Sequence, residues 1–229
     1  MAEAVTRTVT SRSESERVAA SAAPIAVAGA RILVGAAVVV TLIVAYVQAG
    51  GGPAFDFFGY FTNLTSALSA ALLIAAGCIG MRRSSAPRWL PLGRGTALAC
   101  MLIVAVVYNA VVPGTGSAAP WISATLHAAF PALLLLDWVC IHDRPPLPWR
   151  SLWVVLPYPL LWLAVVLLRG ATDGWVPYGF LLPERGAAAL LATSGALLVA
   201  LLASGALVWA LSRVRLRSAI LRRVPSPAQ

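Results

Sequence analysis

The sequence predicts an all-α polytopic membrane protein with six transmembrane helices and both termini in the cytoplasm. Three observations carry this. Of the 229 residues, 60% are hydrophobic, above the roughly half that is usual in a soluble domain. The apolar residues fall into six runs near 25–49, 57–80, 95–112, 119–141, 151–168 and 187–211, each close to the ~20 residues that cross roughly 30 Å of hydrocarbon. All 17 basic residues are arginines, and every one except Arg169 and Arg185 lies at the same side of the spans, which is the positive-inside pattern. The net charge of +9 is then a topology signal. Membrane lipids are the expected surroundings, no nucleic-acid partner is expected, and the oligomeric state is left open.

Residues 1–23 are mostly Ser, Thr, Ala, Arg and Glu and read as a disordered cytoplasmic tail. The first span is too long for a signal-peptide core, so it is read as retained. After a short Gly-rich outer loop, the second span carries Thr62, Thr65, Ser66 and Ser69 at helical spacing. They form one stripe of small hydroxyl residues of the kind that lets a neighbouring helix approach. The third span is plain until Tyr108 and Asn109. The fourth runs from Trp121 to Trp138, with His127 inside it and Pro131 four residues later. A proline there removes the backbone hydrogen bond to the His127 carbonyl and bends the helix. Pro157 and Pro159 mark the fifth span.

The connection from Arg169 to Gly186 is the longest and is aromatic rather than hydrophilic. It is expected to lie on the membrane surface or to fold over the bundle as a lid. The sixth span is rich in Ala, Gly and Leu, and a basic cytoplasmic tail, 213–229, follows it. The absence of lysine fits a GC-rich genome and hence a bacterial plasma membrane. Cys78, Cys100 and Cys140 all map to the cytoplasmic halves of their spans, where reducing conditions disfavour disulfides. No close-spaced four-ligand pattern and no second histidine at the depth of His127 are present, so no metal, haem or other cofactor is expected.

An ionisable residue inside a span is costly unless something faces it, so His127 needs a partner. By helix rise, Thr62 lies roughly 8 Å below Phe57, His127 roughly 9 Å below Trp121, and Asn109 about 5 Å below Val112. With Asn63 and Tyr108 they share one layer of the outer leaflet, and Ser66 lies a turn beyond Thr62. This layer supports nucleophilic catalysis: Thr62 offers a hydroxyl, His127 takes its proton, and Asn63, Tyr108 or Asn109 stabilises an oxyanion. A carboxylate to orient the imidazole is missing. Asp137 is about 15 Å deeper and reads as an inner-boundary residue paired with Arg82, Arg144 or Arg150; Asp56 and Asp173 sit in outer loops. The alternative is a non-catalytic protein in which the same layer is a structural network or a lipid- or partner-binding groove.

The segments GYFTN, VVYN, LHAAFPALLLLDW and, above all, LPYPLLWLAVVLLRGATDGWVPYGFL resemble a bacterial, mainly actinobacterial, six-span membrane family named for its prolines. At greater distance the chain is similar to the androgen-induced membrane hydrolases, which cleave fatty-acid esters of hydroxy fatty acids with a threonine and a histidine in the membrane. That resemblance implies a hydrolase of lipid or fatty-acyl esters with the nucleophile at Thr62 and its base at His127. The chain departs from the pattern: where those hydrolases have NHxxHT it runs from Ser123 to Ala128, keeping only the second histidine, His127, and it has Asn109 where a histidine is expected in span three.

Overall fold

The computed structural model describes residues 25–111 and 118–214; the proposed amino-terminal tail and most of the basic carboxyl-terminal tail lie outside the described residues. Six helical stretches are long and apolar enough to cross a membrane: Ile25–Gln48, Phe61–Met81, Trp89–Val111, Pro120–Cys140, Trp149–Thr172 and Ala187–Leu211. No strand occurs among the described residues, and the protein is an all-α, multi-pass membrane bundle. Its helices are α1 (Ile25–Gln48), α2 (Ala54–Gly59), α3 (Phe61–Met81), α4 (Trp89–Val106), α5 (Pro120–Ala124), α6 (Phe130–Cys140), α7 (Pro157–Thr172) and α8 (Ala187–Leu211). Wide π-helical turns end α4 (Val107–Val111) and join α5 to α6 (Thr125–Ala129), while a 3-10 segment, Trp149–Val155, precedes α7.

The closest helix pair is α1 with α3, and glycine rather than the hydroxyl stripe permits it. A Cβ on Gly77 would lie 2.7 Å from both the Ala28 carbonyl oxygen and Ile32, and one on Gly35 would lie 2.5 Å from Ile74. Lipid tails are as apolar as the helices, so such close packing is what holds the pair together. Gly77→Ala is therefore expected to destabilise the bundle by about 1–3 kcal/mol through overpacking against backbone, measurable as a lower melting temperature in detergent. The hydroxyl stripe divides among other neighbours. Thr65 hydrogen-bonds the Tyr158 hydroxyl at 2.7 Å, and Ser66 points to the Met101 sulfur at 3.8 Å.

Two apolar cores are stacked along the bundle. One, around Leu98, Trp138, Val155, Val208 and Trp209, joins α4, α6 and α8, and the Trp138 indole donates to the Val208 carbonyl at 3.0 Å. The other joins α1, α3, α4 and the fourth span through Val38, Ala70, Met101, Leu126 and Phe130. Every buried residue of α8 lies between Leu201 and Trp209, and α7 buries only Val166. The first half of α8 lies apart from both cores, and the first half of α7 meets the bundle through Tyr158 and Trp162, which pack on Phe61 of α3.

At the arginine-rich end lies an ion-pair cluster that differs from the sequence expectation in two ways. Helix α4 begins at Trp89, well before residue 95, so Arg94 is inside the helix and only 8% exposed. Asp137 pairs not with Arg82, Arg144 or Arg150 but with Arg31 of α1 at 2.7 Å and Arg94 at 2.6 Å. Asp143 binds the same two arginines, at 2.5 Å and 3.3 Å. Apolar periodicity places α1 and α4 in the membrane whatever these arginines cost; two shared carboxylates then neutralise them. Arg144 stacks on Trp138, 3.5 Å from the ring centroid, and donates to the Trp138 and Ile141 carbonyls at the end of α6, where a cation also suits the helix dipole.

Candidate active site

At the opposite end the chain breaks between Gly59 and Phe61. Tyr60 is extended (φ −69°, ψ 124°), so α2 stops and α3 starts afresh with Thr62 as its second residue. This position decides what Thr62 can do. A threonine inside a continuous helix satisfies its hydroxyl on the carbonyl four residues back, as Thr41, Thr125 and Thr172 do at 2.8–2.9 Å. Four residues before Thr62 is Phe58, which belongs to α2. The Thr62 hydroxyl instead meets His127 Nε2 at 3.3 Å.

The other imidazole nitrogen, Nδ1, lies 2.9 Å from the Ser123 carbonyl oxygen. A carbonyl can only accept, so Nδ1 carries the proton in the neutral ring and Nε2 presents a lone pair to Thr62. The orienting group that the sequence lacked as a carboxylate is supplied by backbone. The wide turn brings His127 to this place: the Phe130 amide bonds back to the Thr125 carbonyl, five residues away. Pro131 cannot bond the His127 carbonyl, and Asn109 takes that oxygen, donating to it at 3.0 Å and to the Ala105 carbonyl at 2.8 Å. Tyr108 lies flat on the imidazole, with centroids 3.6 Å apart and planes 14° apart. An imidazolium formed at His127 would sit on the negative face of that ring.

Of the sequence-derived candidates, Thr62, His127, Tyr108 and Asn63 therefore converge on one cavity, while Asn109 supports His127 from behind. Asn63 donates to the Phe57 carbonyl at 2.9 Å. Ser66 does not join the site; it is fully buried against Met101, because the next turn of α3 faces α4. The outer-loop carboxylates are also spoken for, since Arg169 binds Asp56 at 2.8 Å and Asp173 at 2.9 Å.

That same arginine fixes the long outer loop as a lid. It packs over Phe55 and Trp175, and Trp175 lies so close to Gly59 that a Cβ there would fall 2.3 Å from its ring. The Trp162 indole donates to the Gly59 carbonyl at 2.8 Å. The lid carries Tyr178 into the cavity that Thr62 also lines, with its ring edge-on to Tyr60 immediately before α3, centroids 5.9 Å apart. Burial pushes the Tyr178 phenol above its ordinary range, an effect reduced by the polar groups of Thr62 and Phe61 nearby. Sequence reasoning missed Tyr178; its only signal was a polar ring atom in a loop too apolar to be solvated. The cavity holds about 1070 Å³ and reaches from Ala45 and Ile122 past Thr62 to Leu163 of α7 and Leu198 of α8. Among the described residues, no three His, Cys, Asp or Glu side chains are grouped to hold a metal.

No protein-family model, curated protein or solved structure matches the chain.

Proposed function

We propose that this protein is a hydrolase of lipid or fatty-acyl esters, working in the outer leaflet of a bacterial plasma membrane with Thr62 as nucleophile and His127 as its base. The observation that carries this reading is the Thr62–His127 contact, made by an imidazole whose other nitrogen is already committed to the Ser123 carbonyl. That polarity lets Nε2 accept the threonine proton as Oγ1 attacks an ester carbonyl. On collapse, the carbon–oxygen bond to the alcohol breaks and Nε2 returns the proton to the departing oxygen. A water then attacks the acyl-threonine, giving its proton to His127, and Thr62 leaves as the acid is released and recovers that proton. The resemblance to the androgen-induced hydrolases picks out the same two residues.

The cavity fits such a substrate. Its volume is at or above the usual range of roughly 300–1,000 Å³ for small-molecule pockets, leaving room for a long chain. Its far wall includes Ser194, Leu197, Leu198 and Leu201 of α8, a stripe at helical spacing that faces the cavity instead of another helix. A lipid tail can enter sideways there, beneath the lid, while water for the second step reaches Thr62 from the lid side.

Purified protein treated with a fluorophosphonate probe and with a p-nitrophenyl acyl ester in micelles tests this reading. Wild-type protein is expected to label and to turn over, Thr62→Ala to do neither, and His127→Ala to label slowly. Equal labelling of all three would sink the mechanism. One observation favours the non-catalytic alternative: His127 is partnered by Ser123, Thr62 and Tyr108 together, as in a structural network. That reading expects both variants to melt well below wild type, whereas catalytic groups can be removed at little cost to stability.

A further inference from the structure

Attack on an ester turns its carbonyl oxygen into an anion, and in a largely apolar cavity that charge needs a donor aimed at it. The sequence offered Asn63, Tyr108 and Asn109 for this. Both Asn109 amide hydrogens are used, on the Ala105 and His127 carbonyls, and one Asn63 amide hydrogen holds the Phe57 carbonyl, tying that side chain back to α2. Tyr108 lies flat against the imidazole, where its face rather than its edge meets the reacting groups.

Tyr178 is placed differently. Its ring is gripped by Tyr60 (centroids 5.9 Å, 89°), Phe180 (5.2 Å, 3°) and Trp162 (6.0 Å). Those contacts use the ring alone, so the hydroxyl is left as the working end. Tyr178 lines the same cavity as Thr62 and its ring meets Tyr60, just before α3, where the first helical bond in the turn runs from the Leu64 amide to the Tyr60 carbonyl. The amides of Phe61 and Thr62 precede that bond and have no helical acceptor.

Building on the hydrolase reading, we propose that Tyr178 is a catalytic residue carried by the lid, whose hydroxyl donates to the oxyanion formed when Thr62 attacks. As Oγ1 bonds to the carbonyl carbon, the π electron pair moves to the carbonyl oxygen, and the Thr62 proton goes to His127 Nε2. The Tyr178 proton stays on the phenol and is only shared with the new anion. Because Tyr178 arrives on the lid while Thr62 sits in the bundle, the site is complete only when the lid is seated.

The test is Tyr178→Phe, which keeps every ring contact and removes only the hydroxyl. With the p-nitrophenyl ester, kcat is expected to fall about 100-fold, the scale of one lost oxyanion donor, with KM little changed. Fluorophosphonate labelling of Thr62 should slow by a similar factor, since the phosphonyl oxygen takes the same place. Rates are referred to folded protein by thermal melting. Wild-type kcat in this variant, or a raised KM with kcat intact, overturns the role of Tyr178 while leaving a working Thr62 enzyme. Absence of turnover and labelling in wild type overturns both readings, so the two failures are distinguishable.

Discussion

Asp137→Ala is expected to lower the stability of the folded bundle by about 3–5 kcal/mol, the cost of removing one partner from a buried ion pair. Two guanidiniums depend on this carboxylate, Arg31 at 3% exposure and Arg94 at 8%. Asp143 remains, but it already serves both arginines, so the variant leaves one anion facing two buried cations. Chemical unfolding in detergent measures the loss. Arg31→Met combined with Asp137→Leu should recover most of it, because removing both charges abolishes the desolvation cost instead of exposing it.

The same cluster sets an acid limit. Burial alone would raise the Asp143 carboxyl, yet the charge of Arg94 and the hydrogen bond and charge of Arg31 outweigh burial and hold it below its ordinary value. A depressed carboxylate contributes stability that is complete above its unfolded value, near pH ~4. That contribution is lost as pH falls through the lower folded value. Wild-type melting temperature should therefore drop steeply at acid pH.

The second large effect is expected at a residue that touches no substrate. Pro131→Ala restores an amide that can bond the His127 carbonyl, displacing Asn109 and allowing the wide Thr125–Ala129 turn to rewind as ordinary α-helix. Losing one residue of a turn rotates the preceding side chains by about 100°, which would swing His127 away from Thr62. Ester turnover should then fall by about 10²–10⁴, the loss of a positioned general base, while melting temperature holds or rises because an interior proline is gone. Unchanged turnover would show that the wide turn does not depend on Pro131.

The fold was legible because hydrophobic length and arginine placement are one-dimensional properties. So was the shared level of Thr62 and His127 along the bundle, which needs only the rise of a helix. The Asn109 partnership was half legible: Pro131 announced a free carbonyl, but nothing in the chain says which amide fills it. The group that orients His127 is a backbone carbonyl, which every residue has and no residue type advertises. Thr62 is available to His127 because the helix breaks at Tyr60, and the sequence there reads as one continuous apolar run. Tyr178 and the Arg31–Asp137 pair depend on contacts across more than a hundred positions, where periodicity carries no information.

The cluster at the arginine-rich end also governs the order in which the bundle can be made. Arg31 enters the membrane with the first span and Arg94 with the third, but the carboxylates that neutralise them arrive only with Asp137 and Asp143, at the end of the fourth. Until then the nascent chain holds two cations without their carboxylates, a cost that favours turning the arginines toward headgroups. Residue 143 thus completes the set of charges that ties the first, third and fourth spans together.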